Sequence, residues 1–227
     1  MNLKEELIDL TQMMHDLILE QKDVTPIETE DFGWENYRYE SPMFRLAHVE
    51  RYFKDGLIVA HVTCIPHANN PSPIFGFDVV GSEKTGKISG AFVDHSPTLY
   101  DKRWHYTRWS SSRILPEWAT VFSDDFLAIR PNENEYEQLF DFAYGAFTHY
   151  FNILNESSPA TDDKVAALIR EKQTNYCKMQ ASNPRTYAAL KHQLGPERAQ
   201  HFMENILFPN PNKINDLASR RTGVFSG

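Results

Sequence analysis

Apolar and polar positions alternate along the first half of this chain and recur at helical spacing along the second. Between Phe32 and about Val93, runs rich in β-branched and aromatic residues follow one another: Asn36–Ser41, Met43–Phe53, Leu57–Ile65, Ile74–Val80 and Ile88–Val93. Pro, Gly and Asn separate the runs, the punctuation of a strand meander. The connections are short, so neighbouring strands are predicted to pair antiparallel. A further strand is predicted over Thr120–Ile129, ended by Arg130 and Pro131. Residues 2–21 carry the period of an amphipathic helix, and helical patterns return at 134–152, 161–181, 185–193 and 196–206. Strands first and helices afterwards give the α+β class. With no internal repeat and no linker rich in Gly or Ser, residues 1–208 read as a single domain. The stretch Pro209–Gly227, poor in apolar residues, reads as a mobile tail.

Composition narrows the function classes. A chain of 227 residues buries roughly 70–75% of the surface it exposes when unfolded, and 13% aromatic residues are enough for a core and a flat apolar pocket. The first twenty residues hold five carboxylates and lack the basic start and apolar run of a secretory signal. No stretch approaches the roughly 20 apolar residues that span a bilayer, so the chain reads as soluble and cytoplasmic, with no membrane partner; a monomer is the expected state. Cys64 and Cys177 stand far apart, which argues against a zinc ribbon, an iron–sulfur cluster or a disulfide framework. No glycine-rich dinucleotide turn or phosphate loop is present, and the scattered His, Asp and Glu show no metal-ligand spacing. Neither a metal nor a bound cofactor is therefore expected, and electrons for any redox chemistry would come from outside. A net charge of −8 argues against nucleic acid as a partner.

Against that background a few residues stand out. Alternation along Leu57–Ile65 places His61 on one face with Leu57, Val59, Thr63 and Ile65, where it is either a core histidine satisfied by a carbonyl or a site residue. Asp78 sits within the apolar run Ile74–Val80 and shares a face with Ile74, Gly76 and Val80, either in a bulge or capping a turn, or as a paired buried charge. If the two strands are hairpin neighbours, His61 and Asp78 meet on one face as a proton-donating pair. Gly76 and Gly90 would leave room beside them for a flat ligand. His48 and Glu50 share a face of the Met43–Phe53 strand with Phe44, Leu46 and Tyr52, which also suits an ordinary surface strand. Lys102–Arg113 carries four fixed positive charges and no carboxylate, either as a solvated face or as a docking site for something anionic.

The ordered motifs Leu57–Pro66, Phe75-Gly-Phe-Asp-Val-Val80, Asp94-His-Ser-Pro97, Leu115-Pro-Glu-Trp118, Phe122-Ser123 and Ile129-Arg-Pro131 resemble the ferredoxin-dependent bilin reductases. The likeness resumes at Asn175-Tyr-Cys177 and from Leu194-Gly195 to Ile206-Leu-Phe208, so it spans nearly the whole chain apart from its ends. It implies a three-layer α/β/α sandwich with a central antiparallel sheet, biliverdin held between the sheet and the C-terminal helices, and reduced ferredoxin as electron donor. It also implies that the bilin itself accepts single electrons and persists as a radical. By the same resemblance Asp78 is the central proton donor and His61 its hydrogen-bonding partner. His48 and Glu50 match the His-x-Glu pair of the phycocyanobilin-forming members, with Glu50 associated with reduction of the D-ring vinyl group. Arg113 matches a propionate-binding arginine, and Ser89 and Arg185 resemble further propionate contacts.

One departure bears on regiochemistry. Many members carry an aspartate where this chain reads Ser182-Asn-Pro-Arg185, and neither Asn183 nor Pro184 can act as a carboxylic acid. The expected reaction is reduction of biliverdin IXα to phycocyanobilin, with phycoerythrobilin as the alternative product. A noncatalytic bilin carrier on the same fold, and a protein-binding module without a small ligand, are the readings from other classes. Acidic ferredoxin would dock on the basic cluster 102–113, so added salt would weaken turnover.

Overall fold

A computed structural model describes residues 2–99, 109, 120–124 and 126–212. The described residues form two compact units, divided after Pro159. The first unit opens with helix α1 (Leu3–Leu19) and continues through seven strands: β1 (Thr25–Pro26), β2 (Glu35–Glu40), β3 (Phe44–Lys54), β4 (Leu57–Pro66), β5 (Ile74–Ser82), β6 (Lys87–Ser96) and β7 (Leu127–Ile129). It closes with helix α2 (Tyr136–Glu156), entered through a 3₁₀ turn at Glu133–Glu135. All seven strands join one sheet in sequence order, each antiparallel to the next. The class is α+β, as the order of patterns predicts.

Register is set at the β3–β4 turn. Asp55 and Gly56 both have positive φ, 55° and 75°, the backbone of a two-residue hairpin whose twist suits the flanking strands. The turn closes on the pair Lys54 and Leu57, and counting back along β3 and forward along β4 brings Glu50 opposite His61. The next hairpin pairs His61 with Asp78.

The two faces of the sheet differ. One is hydrocarbon: Ala47, Val49, Ala60, Val62, Cys64, Phe75, Phe77, Val79, Ala91 and Val93 are all fully buried. Helix α1 packs over β3 and β4, and α2 over β5 and β6. Leu3, Leu7, Leu10, Met14 and Ile18 form the buried stripe of α1, and the Asn2 side chain caps its first turn by accepting from the Lys4 N–H at 3.2 Å. Arg51 also points to this side. Its guanidinium is satisfied by Thr11 Oγ1 at 2.7 Å, Gln12 Oε1 at 3.0 Å and the Glu35 carboxylate at 2.8 Å, tying α1 to β2 and β3.

Two predictions of pattern are corrected, and one strand is added. Phe44 does not share the face of His48 and Glu50, because a bulge between Phe44 and Leu46 shifts the register. It turns Phe44 into the core beside Phe151, at 6.2 Å between ring centres. The strand predicted over Thr120–Ile129 is only Leu127–Ile129. Among the residues described before it, the Ser123 N–H donates to the Asp94 side chain at 3.1 Å instead of to a strand backbone. Strand β1 pairs Thr25 and Pro26 with β2 and was too short for any period to announce.

The first turn of α2 is fastened to the sheet by one buried bond, in which the Ile88 N–H donates to the Tyr136 hydroxyl at 2.7 Å. Tyr136→Phe is expected to leave that N–H buried and unpaired, lowering stability by about 1–3 kcal/mol. Equilibrium unfolding in denaturant measures it.

The second unit holds α3 (Asp163–Ala181), α4 (Pro184–Leu194) and α5 (Pro196–His201), with a π-helical turn at Phe202–Leu207 ending the helix predicted over 196–206. Asp162 caps α3 by accepting from the N–H groups of Lys164 and Val165. Gly195 (φ 78°) separates α4 from α5, in a conformation that L side chains rarely adopt.

Candidate functional site

The sheet face opposite the hydrocarbon one carries the four residues singled out for proton chemistry. Because paired residues share a face, the strand pairings lay out two adjacent rows across it. Asn36, Glu50, His61, Asp78 and Phe92 form one row from β2 to β6, and Arg38, His48, Thr63, Gly76 and Asp94 form the next. The four residues singled out for proton chemistry therefore stand side by side on three strands.

Their contacts are direct. His61 Nδ1 and Asp78 Oδ1 lie 2.7 Å apart. The His48 and His61 rings are 5.4 Å apart. Glu50 Oε1 accepts from the Trp34 indole N–H at 2.8 Å, and His48 Nε2 meets Asn36 Oδ1 at 2.8 Å. His48, Glu50 and His61 are buried, so the surface-strand reading of Met43–Phe53 does not hold at these positions. The Asp78 side chain is 42% exposed and gives the cluster its open end.

Burial and mutual charge separate the protonation states. Desolvation lifts the Glu50 carboxyl to about 7 against the opposing pull of the His61 charge and the Trp34 hydrogen bond. His48 falls well below the ordinary histidine value, because it is buried and faces the cations His61 and Arg38. His61 moves the other way. Burial disfavours its imidazolium, but the charge and hydrogen bond of Asp78 together with the charge of Glu50 outweigh that penalty. The face thus combines an imidazole held neutral, a carboxyl raised to about 7 and a hydrogen-bonded His61–Asp78 pair, which is the equipment of general acid catalysis.

The other predicted residues are more scattered. Ser89 sits at the β5–β6 irregularity, exposed, with its hydroxyl donating to the Val80 carbonyl at 3.0 Å. Arg185 lies exposed in the first turn of α4, where the Asn183 side chain accepts from its N–H at 3.1 Å. Asn183 is thus the cap of that helix, and Pro184 occupies its first turn. Arg113, the rest of the basic cluster 102–113 except the buried Trp109, and the tail beyond Asn212 lie outside the described residues.

Sequence reading overlooked Trp34, Asn36, Arg38 and Asp94. The alternation Asn36, Tyr37, Arg38, Tyr39 was the available signal, since it places two polar side chains of β2 toward Glu50 and His48. Arg38 is lowered to about 10 by desolvation. Asp94 is buried, is hydrogen-bonded by the hydroxyls of Ser96 and Ser123, and is raised to about 6 by desolvation against those bonds. It fixes Ser123 near the stacked rings of Phe122 and Phe126, and Phe126 stacks in turn on Phe92, the cross-strand partner of Asp78.

A sheet with hydrocarbon on one side and paired acids and imidazoles on the other defines an α+β protein equipped for proton transfer. Comparison with known proteins makes the class specific. The profile of the family described as ferredoxin-dependent bilin reductase matches residues 22–209. The chain is 30% identical over 202 residues to phycocyanobilin:ferredoxin oxidoreductase of Trichodesmium erythraeum, covering 82% of this chain and 80% of that one. It is 31% identical over 199 residues to the protein of the same name from Synechococcus elongatus, covering 82% and 79%. Among solved structures, tomato phytochromobilin synthase in complex with biliverdin shares the fold at a TM-score of 0.73 and 15% identity, over 92% of this chain and 84% of that one. The chain belongs to the ferredoxin-dependent bilin reductase family and is a ferredoxin-dependent bilin oxidoreductase. Among the described residues no helix is long and apolar enough to cross a membrane.

Proposed function

We propose that the chain reduces biliverdin IXα to phycocyanobilin, taking electrons one at a time from reduced ferredoxin while the polar sheet face supplies protons. The observation that carries this reading is the 2.7 Å contact between His61 and Asp78 with Glu50 directly across the strand from His61. The proton shared between His61 and Asp78 passes to the bilin through Asp78, the more exposed partner, and is replaced through His61. Glu50, whose carboxyl stays protonated to about 7, gives the proton for the D-ring vinyl group. The buried Nδ1 of His48 meets no partner among the described residues, and it offers a lone pair to a pyrrole N–H of the substrate. Each electron added to the conjugated bilin raises its basicity, so radical formation and proton delivery alternate. Arg113, Ser89 and Arg185 grip the propionates, and ferredoxin docks on the cations of 102–113. The phycocyanobilin-forming relatives named above support the choice of product.

Anaerobic incubation with biliverdin and reduced ferredoxin, followed by absorption spectroscopy, tests the whole reading. Stepwise spectral change ending in phycocyanobilin is expected. Phycoerythrobilin as the product would overturn the assignment of Glu50, and a static bound spectrum would make the chain a carrier.

A further inference from the structure

We propose that Trp34 is a positioning residue for the reaction: its indole N–H holds the Glu50 carboxylate on the site face of β3, favours the ionised form, and so sets the pH up to which Glu50 can give a proton. This rests on the reading of Glu50 as a proton donor.

The geometry is specific. Trp34 stands immediately before β2, two residues ahead of Asn36, the cross-strand partner of Glu50. Its indole nitrogen reaches Oε1 at 2.8 Å. The ring is fixed by an edge contact with Tyr52 at 5.2 Å and by Phe32 at 5.8 Å, and both of those side chains are buried. Tyr52 lies two residues beyond Glu50 on the same strand face, so the strand that carries the carboxylate also clamps its donor.

The chemistry is one-sided. An indole N–H donates and cannot accept, so it rewards the carboxylate and offers nothing to the proton of the neutral acid. Glu50 is 6% exposed, which leaves little room for water to replace the donor. The other groups facing Glu50 act through charge: His61 from β4 favours ionisation and Asp78 from β5 opposes it. His48 on β3 is held neutral, Arg38 of β2 lies across from His48, and Asn36 of β2 is uncharged. Trp34 supplies the hydrogen bond that offsets burial.

The full-length chain without bilin allows a direct test. It has four tryptophans, so its indole N–H signals are few enough to follow by proton–nitrogen NMR and to assign with Trp34→Phe. One indole signal is expected to move as Glu50 ionises, and Glu50→Gln should abolish that movement while leaving the signal present. In Trp34→Phe the infrared carbonyl band of protonated Glu50 should persist about one pH unit higher or more, as loss of a charge-assisted bond implies. The alkaline limb of kcat for vinyl reduction should move up by the same amount, with KM for biliverdin little changed. An indole signal indifferent to Glu50→Gln would overturn the proposal, and this comparison needs no change at Trp34. An unmoved infrared midpoint in Trp34→Phe would overturn it as well. A shifted midpoint with an unshifted kcat limb would instead remove Glu50 as the donor, and with it the control of proton supply by Trp34.

Discussion

Asp78→Asn is expected to bind biliverdin with near-normal affinity and to reduce it about 10²–10⁴-fold more slowly, the span that a positioned general acid contributes. The substitution preserves shape, and an amide oxygen can still accept from His61 Nδ1 across the present 2.7 Å. Two things change. The amide has no proton to give, and the negative charge that raises His61 against its burial disappears. Burial then pulls the His61 imidazolium down with less to oppose it, so the donor and the group that recharges it weaken together. Biliverdin titration followed by anaerobic single-turnover absorbance separates binding from reduction. Near-normal product formation by the variant would remove Asp78 as donor.

On the other side of the same strand, Phe75→Ala is expected to cost about 3–5 kcal/mol, as buried aromatic truncations do, and to lower Tm by about 10 °C. Phe75 is fully buried, with ring centres at 4.7 Å from Phe147, 5.7 Å from His95 and 5.8 Å from Tyr150. These partners come from β6 and α2, so the cavity would open at the contact that holds α2 to the sheet. Thermal unfolding by circular dichroism measures the loss. A Tm within about 2 °C of the parent would mean that this cluster does not hold the helix.

The residues that were legible in the sequence are those whose neighbours obey a period. His61 and Asp78 interrupt apolar strands, alternation put each on a face of its own strand, and the hairpin pairing on which their meeting depended is the one observed. Glu50 was placed on its strand face, and its position opposite His61 follows from the Asp55-Gly56 turn. Phe44 was misplaced because a bulge adds a residue that no alternation pattern reveals. Trp34 escaped notice because it precedes its strand, where period two does not extend, and its partner lies sixteen positions away. The depth of burial of His48 and Glu50 was equally hidden: a strand of mixed polarity looks the same whether water or protein covers it.

The sheet runs in strict chain order, and that has a kinetic consequence. From β2 to β6 each pairing closes only a short loop, so the entropy lost at each of those steps is small, whereas β7 joins β6 only after the long connection from Ser96 to Leu127. Glu50, His61 and Asp78 are brought into one row by two successive hairpins. The proton-handling centre can therefore assemble from a single contiguous stretch of chain, early in folding and before β7 finds its edge.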